Sequence, residues 1–177
     1  VRNLKRQFGK GLVEAALKSP TLVEDLDRIR NEGVRIRLVD GPCRAYYDRK
    51  KRTIYIGRWC PRNYKLISLA HEFVHALVKP TVDPVPGRTG KKEFVNRCLE
   101  EEAEAIIHEI HIVKELISAG VKVDPKELEW LRRYQRGGKK AIRKALEKTI
   151  TSTTGEGYPE YYANWYDEIV PIAKRLP

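Results

Sequence analysis

The chain contains no methionine, only three cysteines, three phenylalanines and four histidines. It also has no apolar run near the roughly 20 residues that a membrane-crossing helix needs, so no membrane span and no signal peptide are expected. Cys43, Cys60 and Cys98 lack the paired C-x-x-C spacing of a thiolate metal site, and their odd number excludes a complete disulfide framework. Cys43 and Cys60 fall near each other beside a predicted hairpin and could bridge; the alternative is that both are small buried hydrophobes. A chain that begins at Val1 and lacks Met is expected to be a segment of a longer one, which leaves its localisation unread.

What is present suffices for one domain, residues 1–177: the length is 177 residues and 41% of them are apolar, enough to close a core. The formal charge is +11, which draws such a surface toward polyanions, acidic proteins or anionic membranes. The excess is uneven. Residues 1–60 carry 15 Lys and Arg against 7 acids, whereas residues 61–120 carry 8 against 9.

The apolar periodicity predicts an α+β fold, mainly helical, with a small antiparallel sheet packed on one central helix. Two helices are expected before Gly33, and then the period changes. "VRIRLVD" alternates apolar and basic residues, and "RAYYD" and "TIYIG" flank a charged turn, which together read as strands. A helix from residue 62 to about 79 stops before Pro80, and the Pro- and Gly-rich "KPTVDPVPGRTGKK" follows as a loop. A long helix runs from about Phe94 to Ala119. Asp124 and Pro125 then open a basic helix through about Tyr134, Gly137 and Gly138 break the chain before another short helix, "KKAIRKALEK", and a C-terminal aromatic helix begins near Tyr158.

The helix at 66–78, "LISLAHEFVHALV", is apolar nearly all round, the mark of a buried helix. Yet Ser68, His71, Glu72 and His75 fall on one face of it. Burying imidazoles and a carboxylate is costly unless something satisfies them. His71-Glu72-Phe73-Val74-His75 is an H-E-x-x-H arrangement, in which two histidines one turn apart can aim ring nitrogens at one Zn²⁺. Glu72 projects to the same side, where it can act as general base toward a zinc-activated water.

On "LAHEFVHAL" and on the strand "TIYIG" that leads into it, the chain resembles the zincin metallopeptidases. The extended metzincin form requires Gly and His where this sequence has Val78 and Thr81. The resemblance therefore implies the gluzincin type: one zinc ion per chain, a protein or peptide substrate, and a glutamate ligand from a later helix. It also implies a downstream Tyr or His that steadies the oxyanion, for which Tyr158, Tyr161, Tyr162 and Tyr166 are the candidates. "EEEAEA" after such a motif looks like the metallopeptidase domains of bacterial secreted effectors and polymorphic toxins. That likeness implies an acidic immunity or inhibitor protein as a partner.

The long helix offers Glu100, Glu101, Glu102 and Glu104. Its apolar stripe, taken as Val95, Leu99, Ala103, Ile106, Ile110, Val113 and Ile117, contains Glu102, so Glu102 is the expected third ligand, with Glu101 or Glu100 as the fallback. Glu101 and Glu104 are expected to point away. Glu109, near the same face, would either hold a histidine's second nitrogen or form a salt bridge. His108 and His111 fall on the polar side and are expected to be solvated. Two rival readings remain. "RRYQRGGKKAIRK" could track phosphates in a nucleic-acid-associated module that is a protease or a regulator, and a metal-free scaffold would keep the motif without the ion.

Overall fold

The computed structural model describes residues 5, 8–78, 89–151 and 154–173. The fold is α+β, with helices α1 (Lys10–Ala16) and α2 (Pro20–Asn31), strands β1 (Arg35–Val39), β2 (Ala45–Asp48) and β3 (Thr53–Gly57), and then helices α3 (Arg62–Leu77), α4 (Lys91–Ser118), α5 (Pro125–Leu146) and α6 (Tyr158–Ala173). Most of the Pro- and Gly-rich segment expected as a loop lies outside the described residues.

The sheet is mixed rather than wholly antiparallel. Its order is β1-β3-β2, with β2 antiparallel to β3 and β1 parallel to it. The reason lies in burial. β3, "TIYIG", is the most buried of the three strands and takes the centre, so the chain leaving β1 must pass over the end of β3 to reach β2 on the far side. Gly57 ends β3 at that crossing: a Cβ there would stand 2.2 Å from the Pro42 carbonyl oxygen. Only glycine admits so close a backbone approach. Cys43, on the crossing loop, is bonded as a disulfide to Cys60 just past β3, with Cα atoms 4.5 Å apart. Cys98 is free and buried.

The inner face of the sheet, with Ile54 and Ile56, packs with Leu66, Ile67, Leu69, Ala70 and Phe73 of α3 into one apolar cluster, which α1, α2 and the C-terminal part of α4 complete. Phe73 is wholly buried there, and its truncation to Ala would cost about 3–5 kcal/mol. A second cluster joins the N-terminal two-thirds of α4 to α5 and α6 through Phe94, Leu99, Ile106, Ile142, Leu146 and Tyr162. Helix α4 therefore has two buried faces. One runs through Leu99, Ala103, Ile106 and Ile110, and the other, along Ala105, Ile112 and Leu116, looks toward α3 and α2. Among the described residues, no helix is long and apolar enough to cross a membrane.

Candidate metal centre

Helix α3 is fixed by its apolar sides, which leaves one stripe facing α4. The two helices run antiparallel, so acids early in α4 meet His75 and acids later in α4 meet His71. His71 and His75 bring their Nε2 atoms to 3.1 Å of each other. Glu102, 5% exposed, places Oε2 at 3.3 Å from His71 Nε2 and Oε1 at 3.5 Å from His75 Nε2. The three residues expected as ligands thus converge, with one donor atom from each within 4.8 Å of the others.

The outer nitrogens are held as well. His71 Nδ1 donates to Glu109 Oε1 at 2.5 Å and His75 Nδ1 donates to Glu101 Oε1 at 2.7 Å. A carboxylate can only accept, so each Nδ1 carries a proton, and each Nε2 offers a lone pair inward whenever its ring is neutral. Of the two roles open to Glu109, it takes the hold on a histidine's second nitrogen. Glu101 does not point away as expected. Its side chain lies on the second buried face of α4, is itself held by Arg49 Nη2 at 2.5 Å, and reaches His75. The stripe read from the sequence covered only one of the two faces, and Glu101 borders the other. Glu100, the other fallback ligand, is exposed and pairs with Lys139 and Arg143, so it takes no part in the site. Glu104 points outward to Lys139 as expected.

The same second face corrects His108. Its Nε2 meets Asp25 Oδ2 at 2.6 Å, and Asp25 is buried, so the pair ties α2 to α4 rather than being solvated. His111 is exposed, with its ring edge toward Tyr134. The two do not form a joint site.

Two inward lone pairs 3.1 Å apart beside a carboxylate repel one another unless a cation or a proton lies between them. Glu102 Oε2 is a buried oxygen with no hydrogen-bond partner, while Oε1 accepts from the Tyr162 hydroxyl. Zinc bonds of about 2.0–2.1 Å in a tetrahedron set ligand atoms about 3.3–3.4 Å apart; here the two Nε2 atoms are 3.1 Å apart and His71 Nε2 is 3.3 Å from Glu102 Oε2, with one donor atom of each residue within 4.8 Å of the others. Two imidazoles and a carboxylate, each imidazole backed by an acid, therefore fit a divalent ion with a fourth position open.

Without an ion the cluster is strongly polarised. Burial disfavours charge on His71, yet the carboxylates of Glu102 and Glu109 raise its pKa well above that of an ordinary imidazole. Burial likewise opposes charge on His75, and Glu102 and Glu101 more than offset it, so its pKa is raised too. For Glu102, burial is outweighed by His75, His71 and the Tyr162 hydrogen bond, which hold its carboxyl down at about 2. Glu72, buried beside these groups, has its pKa raised by burial against the pull of both histidines. Among the described residues its carboxylate has no hydrogen-bond partner.

Of the four tyrosines expected near the site, Tyr162 is committed to Glu102 and Tyr166 donates to the Thr89 carbonyl oxygen at 2.9 Å. Tyr158 lies where the charges of Glu102, Glu109 and Glu72 all reach it. Burial and those charges raise its pKa well above that of a free phenol, so it keeps its proton. Sequence reasoning missed Glu127, in the first turn of α5. Burial, with Glu109 and Asp124 nearby, pushes its carboxyl up to about 8. Its place after the Asp124-Pro125 helix start gave no sign of this, because only the packing of α5 on α4 brings it toward Glu109.

No protein-family model, no curated protein and no solved structure matches this chain, so its function is read from this geometry alone.

Proposed function

We propose that this protein is a zinc-dependent peptidase in which His71, His75 and Glu102 hold the metal and Glu72 is the general base. The observation that carries the reading is the convergence of the His71 and His75 Nε2 atoms, 3.1 Å apart, on the buried Glu102 carboxylate, whose Oε2, 3.3 Å from His71 Nε2, has no hydrogen-bond partner. When bound, zinc supplies Lewis acidity that brings the pKa of a coordinated water from about 15.7 toward about 7.

The chain's own residues supply the rest. Glu101 and Glu109 fix the tautomer and ring orientation of His75 and His71. Tyr162 occupies Glu102 Oε1 and so presents Oε2 to the metal position. Glu72 has a raised pKa and no competing hydrogen bond, which matches a group that takes a proton from water and returns it to the leaving amine. Tyr158, kept protonated by burial and by the carboxylates around it, is the tyrosine we assign as donor to the scissile carbonyl oxygen as negative charge builds on it.

The test uses purified chain reconstituted with zinc, dialysed, and presented with a peptide library. One zinc per chain and cleavage that Glu72→Gln abolishes while zinc is retained would bear the reading out. Less than a few hundredths of a zinc per chain, or cleavage unaffected by Glu72→Gln, would overturn it. Expression of wild type and Glu72→Gln in bacteria, followed by mapping of new protein termini, would then identify the substrate.

A further inference from the structure

Helix α5 carries a feature, lined by none of the metal residues, that peptide hydrolysis does not use. Its helical geometry breaks at Gly137 (φ −156°, ψ 17°) and Gly138 (φ 56°, ψ −153°), and the positive φ at Gly138 is one that side-chain-bearing residues rarely adopt. Residues 133, 136, 144 and 148 would form a straight basic stripe on an unbroken helix. The break folds that stripe into a depression of about 380 Å³, walled by Arg133, Arg136, Lys144 and Lys148 and floored by Gly137, Ala141 and Ala145. No acid lines it. Arg133 shares Glu129 at 2.5 Å and Arg136 caps the Arg132 carbonyl oxygen at 3.3 Å, while Lys144 and Lys148 have no ion pair among the described residues. The helix is held in this shape from behind, where Ile142 and Leu146 are fully buried against α4.

Gathering four like charges around one hollow is unfavourable unless an anion enters it. The floor of glycine and alanine lets a bulky anion approach the helix backbone. We infer that this groove binds the phosphodiester backbone of double-stranded nucleic acid without reading its sequence. Three features select that occupant. The cations are spread along a helix that rises about 1.5 Å per residue, which suits a row of charges better than a single phosphate. Among the described residues no aromatic side chain lines the groove, so none of them offers a platform on which single-strand bases could stack. The groove is concave and has no large apolar side chain in its lining, the opposite of a surface that lies in a bilayer.

The experiment titrates a fluorescent DNA duplex of random sequence with the full chain at several salt concentrations. Wild type is compared with the variant in which Arg133, Arg136, Lys144 and Lys148 are all changed to Gln, and each is also tested on phosphatidylserine vesicles. The expected result is duplex binding that weakens steeply with salt, with a slope of log K on log salt shallower in the variant by about 3–4. The variant's affinity should fall at least about tenfold, with far-UV spectrum and zinc content unchanged. A second variant, Gly137→Ala with Gly138→Ala, keeps every charge and should also weaken binding, because it reshapes the hollow. Glu72→Gln should bind as wild type does, which separates this groove from the metal centre. No duplex binding at low salt, equal slopes for wild type and the fourfold variant, or vesicle binding that exceeds duplex binding would each overturn the inference.

Discussion

Two pairs of histidines lie about one helical turn apart in this chain, and they meet different fates. His71 and His75 on α3 turn their Nε2 atoms to a common point while Glu109 and Glu101 hold the outer nitrogens. His108 and His111 on α4 part company: the first spends its Nε2 on Asp25 and the second lies on the surface beside Tyr134. Spacing brings two rings to one side of a helix, but it does not decide where their nitrogens point. Carboxylates do that. The first pair has acids behind it that fix the protons outward and a buried acid in front of it, whereas the second pair has one acid, on the nitrogen that would be needed for a metal.

The sharpest way to test this difference is to remove function while keeping the cage. Glu72→Gln is expected to lower kcat/KM on any cleaved peptide by about 10²–10⁴, with zinc content unchanged by elemental analysis. Next come the acids behind the rings. Glu109→Gln and Glu101→Gln should each weaken zinc binding by about 10–100-fold in competition with a chromophoric chelator. Arg49→Met should do the same to a smaller degree by releasing Glu101. Asp25→Asn, the same change behind His108, should leave zinc affinity untouched.

Acidity gives a third test, on the metal-free protein. Glu102 has its folded pKa depressed to about 2, so its contribution to stability is present above the ordinary carboxylate range and is lost as pH falls toward 2. His71 and His75 have raised pKa values. Their contribution is complete below the ordinary imidazole pKa of 6.5 and is lost as pH rises through the raised values. Metal-free protein should therefore melt at progressively lower temperature as pH climbs above about 6.5. Zinc, which needs both Nε2 atoms unprotonated, should bind more tightly over the same range and reverse the trend. A melting temperature that is flat with pH in the metal-free protein would contradict the arrangement described here.

The smallest effects belong to the other pair. His108→Ala leaves the buried Asp25 carboxylate with only the Arg28 ion pair at 4.0 Å and should cost about 1–3 kcal/mol of stability in denaturant titration without loss of zinc. His111→Ala should stay within about 0.5 kcal/mol.

The sequence already contained most of this site, and each misreading has one cause. His71, His75 and Glu102 were legible because polar residues stood out on helices that are otherwise apolar, and the start of α5 followed from Asp124 and Pro125, whereas the glycines at 137 and 138, expected to separate two helices, only kink one. Glu101 and His108 are not legible from a single apolar stripe on α4. Ala105, Ile112 and Leu116 mark a second one, which becomes visible only when a 28-residue helix is known to pack on both sides. The sheet was expected to be antiparallel because hairpin signals report neighbours in sequence. That β3 would take the centre depended on its greater burial, a property of the whole core rather than of the turn. Glu127 was invisible because its surroundings are created by the packing of α5 back on α4, which the local pattern of α5 does not report.

The crossing at Gly57 reaches beyond the sheet itself. A survey of every possible substitution would find this position as intolerant as the histidines, though it has no side chain and touches no reactant. A methyl group there would push the Pro42 loop off the end of β3, and with it the disulfide that anchors the entrance to α3. The imidazoles would then lose their alignment through a shift in the scaffold, so that one missing carbon atom far back along the chain helps determine where two nitrogens meet.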